Sequence, residues 1–397
     1  MKLEVDDALQ KGVTLLGHDK PDLLRNMPME IMFMILSHLN ISSLVSFGET
    51  SRANYIYHTL CLKRLHIAVF QKRLHTTIAF IEATSSTTEH SGRWGIDSEH
   101  QVSIVLPRSN RGKEVVGHRS PLRGSRWSAE TRRRNWERDE ENPPSLNHTI
   151  LSQNEVFANL LSRYGRSLHD LEFMAYDLDA RGAVALATHC KWKLRHLALR
   201  FEHPYIRDAI LSRGYWMKPA PSSTAWNALI GSGSYEKDMG PTGLESLVLE
   251  RAGITAWQLQ MLVKRNPRLK DLRLRTCKAI QLEFLNWLGG IEKDPNEGPN
   301  NDSEDAPGSS LQVLWLENSD EISAERIDAS EKVVGLEWMV GMKSLKSLSF
   351  RDCRRINADI IEKANKEIWH IPEVFLPYPL GPSGGGEGTI EVDPAYM

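Results

Sequence analysis

Apolar residues along this chain follow two rhythms, separated by a stretch that has none. Near the N-terminus, Ile31, Met34, Ile35 and Leu39 fall at i, i+3, i+4 and i+8, the spacing of one helix face. A second helical run starts near Ser42 or Ser43 and carries Leu44, Val45 and Phe47. A third, from about Asn54, takes in Leu62, Leu65, Val69 and Phe70, then Leu74, Ile78 and Ile81. The pattern predicts a helical module over residues 22–83.

From about Ser152 the rhythm changes to a loose repeat, L-x-x-L-x-[L/F]. Its instances are Leu168–Leu171–Phe173, Leu194–Leu197–Leu199, Leu244–Leu247–Leu249, Leu269–Leu272–Leu274, Leu311–Leu314–Leu316 and Leu345–Leu348–Phe350. Their starts are 26, 50, 25, 42 and 34 residues apart. The first and third spacings match one leucine-rich repeat, and the others leave room for an insert, an acidic loop or a longer helix. Residues two apart on a strand share a face. The last two apolar positions of each unit therefore point into a common core, and the residues between them line the concave face. Two units continue with a Cys and an Ile, Cys277–Ile280 and Cys353–Ile356, and resemble the cysteine-containing class of leucine-rich repeats. A buried Cys serves there as a small hydrophobe.

Helices fit between these strands. Thr255 with Gln258 reads as a capping box opening a helix over 256–264. Ile280 to Leu288 runs into Gly289-Gly290, Asn357 precedes Ile360, Ile361 and Ala364, and Ser152 with Glu155 suggests the start of a helix ending at Gly165. The expected fold class is α/β: an N-terminal three-helix module followed by a short leucine-rich solenoid over 151–376.

Composition adds limits. The chain has 397 residues, enough for two or three domains. Lys plus Arg total 49 against 51 Asp plus Glu, which argues against a dedicated nucleic-acid binder. The longest apolar run, Ile31 to Leu36, is six residues, far short of the ~18 that cross a membrane. Four scattered cysteines without a CxxC pair point to reduced thiols, and the N-terminus lacks a secretory stretch, so a cytoplasmic or nuclear location is expected. Residues 84–150 read as a basic, flexible insert or linker, with nine Arg and one Lys against three Glu between Arg108 and Arg138. The loop 289–310 and the tail 377–397 read as flexible.

Six consecutive apolar residues wrap more than one face of a helix, and so small a module buries little alone. An excess apolar face of this kind marks a protein interface. Met27-Pro28-Met29-Glu30-Ile31, Ile35-Leu36-Ser37-His38-Leu39, Ser43-Leu44-Val45-Ser46-Phe47 and Ser51-Arg52 together resemble an F-box. Met27 replaces the usual Leu, and Asn40 to Ser43 lacks the common acidic residue. The layout, F-box then leucine-rich repeats, is similar to that of fungal F-box proteins. The resemblance implies a substrate-receptor subunit of an SCF-type cullin–RING ubiquitin ligase, itself not an enzyme. It would bind a Skp-type adaptor and, through it, the cullin–RING ligase, and recruit a protein substrate. Matched to the motif, the adaptor contact falls on Met27, Pro28, Ile31, Ile35, Leu39, Leu44 and Val45. The alternative is an F-box scaffold acting outside ubiquitination.

No phosphate loop, dinucleotide fingerprint, nucleophile elbow or HExxH zinc motif is present, and nothing calls for a cofactor or a metal. His58, His66 and His75 read as surface or partner-facing. Substrate should meet the concave face. Arg273 and Arg275, with Lys270 and Lys346 nearby, suit an acidic or phosphorylated ligand, and Trp315 suits a hot-spot anchor.

Overall fold

A computed structural model describes residues 27–39, 41–69, 102–104, 146–201, 213–291, 305–324 and 333–377. Most of the basic insert, with Arg132 to Arg134, lies outside the described residues, as do Phe70 to Ile81 (His75 included), the middle of the acidic loop and the tail beyond Pro377.

Three helices open the described chain: α1 (Met29–Ser37), α2 (Ile41–Thr50) and α3 (Arg52–Cys61). Ser51 caps α3 by accepting from the Asn54 amide. Gly48 lets α2 approach α3, because a Cβ there would sit 2.3 Å from the His58 ring. The helical pattern predicted beyond Asn54 ends early. After Cys61 the chain becomes a strand, β1 (Arg64–Ala68). Leu65, Ile67 and Val69, all 0 % exposed, alternate with period two, and pairing with the sheet decides for that reading over the helical one.

Among the described residues the sheet has nine strands, all parallel and open at both edges. After β1 come β2 (Val102–Ile104), β3 (Asp170–Met174), β4 (His196–Arg200), β5 (Ser246–Glu250), β6 (Asp271–Arg275), β7 (Val313–Glu317), β8 (Ser347–Ser349) and β9 (Glu373–Phe375). The spatial order is β2-β1-β3-β4-β5-β6-β7-β8-β9. Every L-x-x-L-x-[L/F] unit feeds one of strands β3 to β8. Leu171, Leu197, Leu247, Leu272, Leu314 and Leu348 pair in one continuous ladder, each at most 1 % exposed. Phe173, Leu199, Leu249, Leu274 and Leu316 form the next. A slip of one residue would turn both rows out of the core, so the repeat pins the register.

The strands leave the sheet in a repeated way. Arg251, Thr276, Asn318 and Asp352 occupy equivalent positions and all have φ between 49° and 62°. The left-handed turn is followed in each case by a small buried side chain: Ala252, Cys277, Ser319 and Cys353. The Cys277 thiol donates to the Leu249 carbonyl at 3.4 Å, and that of Cys353 to Leu316 at 3.1 Å, each reaching back to the preceding strand.

Helices connect the strands, most of them packed on the inner face. They are α4 (Leu146–Tyr164), α5 (Ala180–His189), the short α6 (Arg213–Trp216) and α7 (Asn227–Ile230), α8 (Ala256–Lys264), α9 (Leu282–Leu288) and α10 (Ala358–Ala364). The Thr255–Gln258 capping box and the Asn357 cap form as predicted. Helix α4 starts earlier than Ser152. Its first turn places Leu146 and Ile150 against a small cluster of Ala68, Met174, Tyr176 and Trp216, and that burial carries the helix past the predicted cap. Buried polar groups of α4 then pin it to the strand exits: Gln153 accepts from Tyr176 N and donates to Val69 O, and Asn154 donates to Asp177 O. One core runs from Met32, Leu36 and Leu44 through the ladders to Ile371, so the three leading helices pack directly against the sheet.

Candidate functional site

Two surfaces carry the residues singled out in the sequence. The first is α1. Pro28 is its N-cap, with its carbonyl accepting from the amides of Ile31 and Met32, both at 3.1 Å. Met32 and Leu36 point inward, each 2 % exposed. Ile31, Met34 and Ile35 stand out in water at 43 %, 59 % and 46 % exposure. They lie at i, i+3 and i+4, so they form one stripe. Met27 and Leu39 are partly buried against the core at the two ends of the helix. Leu44 does not join the stripe: at 2 % exposure it is core. Its position on α2 turns it into the core rather than outward. The side chain of Val45 lies outside the described residues.

The second surface is the outer face of the sheet. In its middle row, Val248, Arg273, Trp315, Ser349 and Phe375 stand side by side on β5 to β9. Arg273 and Arg275 stand on this face, and both are already paired. Arg273 binds Asp271 of its own strand with two hydrogen bonds, 2.9 and 3.0 Å, and lies 4.0 Å over the Trp315 ring. Arg275 pairs with Asp352 at 3.5 Å and Glu317 at 3.9 Å. Trp315 donates its indole N–H to Ser347 and meets Phe375 edge-on, with centroids 5.6 Å apart. The two rings close over Ser349, which is 0 % exposed and donates to Glu317 at 2.6 Å. Lys346 donates to Gln312, and Lys270 extends into solvent from the row just before the strands. The space beside Arg273, Arg275 and Trp315 is ≈ 20 Å³, room for about one water. An acidic ligand would have to displace Asp271 or Glu317 from these guanidinium groups.

Sequence reasoning missed the charges buried on this same face. Arg200, 6 % exposed, is held between Glu172 at 2.6 Å and Glu250. His66 sits between Asp170 at 3.5 Å and Glu172 at 3.3 Å. Burial opposes the His66 imidazolium, but the hydrogen bond to Asp170 and the two carboxylate charges outweigh it and raise its pKa. The expectation of surface histidines is corrected on both described members. His66 is on a strand, and His58 is 2 % exposed in α3, its ring 3.2 Å from the Tyr164 hydroxyl. Desolvation by burial keeps the His58 pKa low. The carboxylates that hold His66 are the first and third residues of β3, and neither is visible in an apolar pattern.

A larger cavity of ≈ 320 Å³ lies at the far end, between the turn around Met339 and the segment Ile368 to Ile371, and none of the sequence-predicted site residues lines it. Among the described residues no cluster of His, Cys, Asp and Glu is arranged to hold a metal ion, and no helix is long and apolar enough to cross a membrane. Neither the models of known protein families nor the curated proteins give a match to this chain.

Proposed function

We propose that the protein is a substrate-receptor subunit of an SCF-type cullin–RING ubiquitin ligase, an F-box module followed by a leucine-rich-repeat solenoid. The observation that carries this reading is the stripe Ile31–Met34–Ile35. Its neighbours Met32 and Leu36 anchor the helix in the core, so the stripe is held rigidly toward water. A fixed apolar stripe on an N-terminal helix is what a helical adaptor needs for docking. The open parallel sheet with one L-x-x-L-x-[L/F] unit on each of strands β3 to β8 supports the repeat half of the reading, as does the recurring left-handed exit with its small buried residue. In such an assembly the receptor does no chemistry. It holds a substrate on one end and the ligase on the other.

The test is co-purification of the full chain with a Skp-type adaptor and a cullin, alongside an Ile31→Glu/Ile35→Glu variant. Adaptor and cullin retained by the parent and lost by the folded variant support the ligase receptor. Adaptor without cullin points to a scaffold outside ubiquitination, and no adaptor at all removes the F-box reading.

A further inference from the structure

The exposed aromatic side chains of the described chain are few, and Trp192 is the most exposed of them at 69 %. It does not sit on a loose loop. Cys190 on one side is 1 % exposed and Leu194 on the other is 0 %, so both flanks are core. Between them the Lys191 carbonyl accepts from Thr242 N at 3.3 Å, and Arg195 donates to the Gly243 carbonyl at 2.9 Å. The indole is therefore presented to water by a pinned backbone. So large an apolar surface left in water forgoes the stability that its burial would give. Its ring meets the Lys191 ammonium, 4.8 Å from the centroid, and otherwise faces water.

The surroundings are basic. The rim of the sheet just before the strands is threaded by backbone bonds: His169 N donates to Lys63 O at 2.7 Å, and Arg195 N to His169 O at 2.8 Å. Lys63, His169 and Arg195 thus stand side by side at the starts of β1, β3 and β4, with Lys193 two residues before Arg195. The carboxylates nearby each already face a basic group. Asp170 faces His66, Glu245 lies 3.7 Å from Arg195, and Asp238 holds Lys191, whose ammonium is 4.8 Å over the Trp192 ring. Lys63 and Lys193 have no carboxylate partner among the described residues. Burial and then the charges of Lys193, Lys63 and Arg195 lower the His169 pKa.

We propose that Trp192 with Lys63 and Lys193 is a docking site for an acidic protein segment that carries an apolar side chain. The indole takes the apolar anchor, as Trp does at the centre of protein interfaces, and the two lysines take flanking carboxylates. A protein segment fits better than a nucleic-acid strand. The chain as a whole is slightly acidic, with a net charge of −2, so it lacks the long-range field that draws polyanions. Single-stranded nucleic acid also wants a succession of stacking rings, and this rim offers one. The site lies on the opposite edge of the sheet from the strand exits and does not include the α1 stripe, so its success or failure is independent of the adaptor reading.

The experiment measures anisotropy of fluorescein-labelled probes with the full chain. The first probe is an eight-residue peptide of six Glu around a central Leu-Phe pair. The second replaces Leu-Phe with Ser-Ser, and the third is an oligothymidine of matching charge. Trp192→Ala and Lys63→Glu/Lys193→Glu should each weaken the first probe about tenfold, and so should loss of its apolar pair. Trp257→Ala, at another exposed tryptophan, should leave binding unchanged. All four positions are at the surface, and unchanged melting temperatures verify that the variants fold. Failure of the first probe to bind, binding that survives Trp192→Ala, or tighter binding of the oligothymidine with the same sensitivity would overturn the proposal.

Discussion

Arg200→Met tests the buried charges directly. The Arg200 side chain is 6 % exposed, and its two carboxylate partners, Glu172 and Glu250, are 7 % and 8 % exposed. Met fills much the same volume, so the change removes charge with little cavity. It leaves two carboxylates facing each other across β4 without the cation between them. Removing one member of a buried ion pair costs about 3–5 kcal/mol, because the remaining charge stays desolvated. His66 lies beside Glu172 and offsets part of this for one of the two, so the lower half of the range is expected. At ~2–4 °C per kcal/mol for a domain of this size, the melting temperature should fall by about 6–16 °C. The assay is urea denaturation followed by circular dichroism at pH 7.5 and pH 5.0. Unpaired buried carboxylates take up protons readily, so the deficit should shrink at pH 5.0. Glu172→Gln/Arg200→Met/Glu250→Gln should recover about half of the loss or more, since no charge is then stranded. A single variant within ~0.5 kcal/mol of the parent would refute the reasoning, as would a deficit that does not change with pH.

Ile31→Glu with Ile35→Glu should leave stability within ~0.5 kcal/mol, because both side chains are already in water, whereas Leu44→Asp should unfold the leading helices by stranding a carboxylate in the core; thermal melts of the two variants separate the cases. Burial pushes the Cys190 and Cys353 thiols up to about 12, so Ellman's reagent at pH 8 should leave both untouched in the native protein and label them in urea. The folded-state pKa of His66 lies above its unfolded value, so its contribution is complete below the unfolded pKa and fades as pH rises through the folded one. The melting temperature should therefore decline from about pH 6.5 upward, and a His66→Gln variant whose slope matches the parent would count against this.

Much of the sheet was legible because its signal is internal repetition. Six leucine units predicted six strands, and all six formed, in one register, because the same two positions must face the core in each. The edges were less legible. Strand β1 read as helix because Leu62, Leu65 and Val69 fit a helical spacing while Leu65, Ile67 and Val69 fit an alternating one, and only a neighbour to pair with decides between them. The caps at Thr255 and Asn357 hold since nothing competes for those groups, while Ser152 lost to the burial of Leu146 and Ile150 upstream. Of the candidate residues, Ile31, Ile35, Arg273, Arg275 and Trp315 stand on surfaces as expected. Leu44 does not, since the motif says which residues are apolar but not which way α2 is rolled. The engagement of Arg273 by Asp271 and of Arg275 by Glu317 and Asp352 was hidden for a similar reason: partners two residues apart or a strand apart follow from geometry that an apolar pattern does not encode. Trp192 gave no signal at all, because a lone tryptophan between lysines reads the same whether its ring is buried or displayed.

From β3 to β9 the strand order follows the chain order, so each strand touches only the ones before and after it in sequence. Contacts of that kind make the molecule resemble a zip rather than a knot. Closing one tooth requires only its neighbour, and opening can begin at a free end without disturbing the other. Strand β9 has three residues and a partner on one side only, and β8 is equally short. The C-terminal teeth should therefore part first under pulling or protease, carrying away Phe375 and then the floor beneath Trp315. The α1 stripe, at the far end of the zip, would remain folded and able to bind while the outer face around Trp315 was already gone.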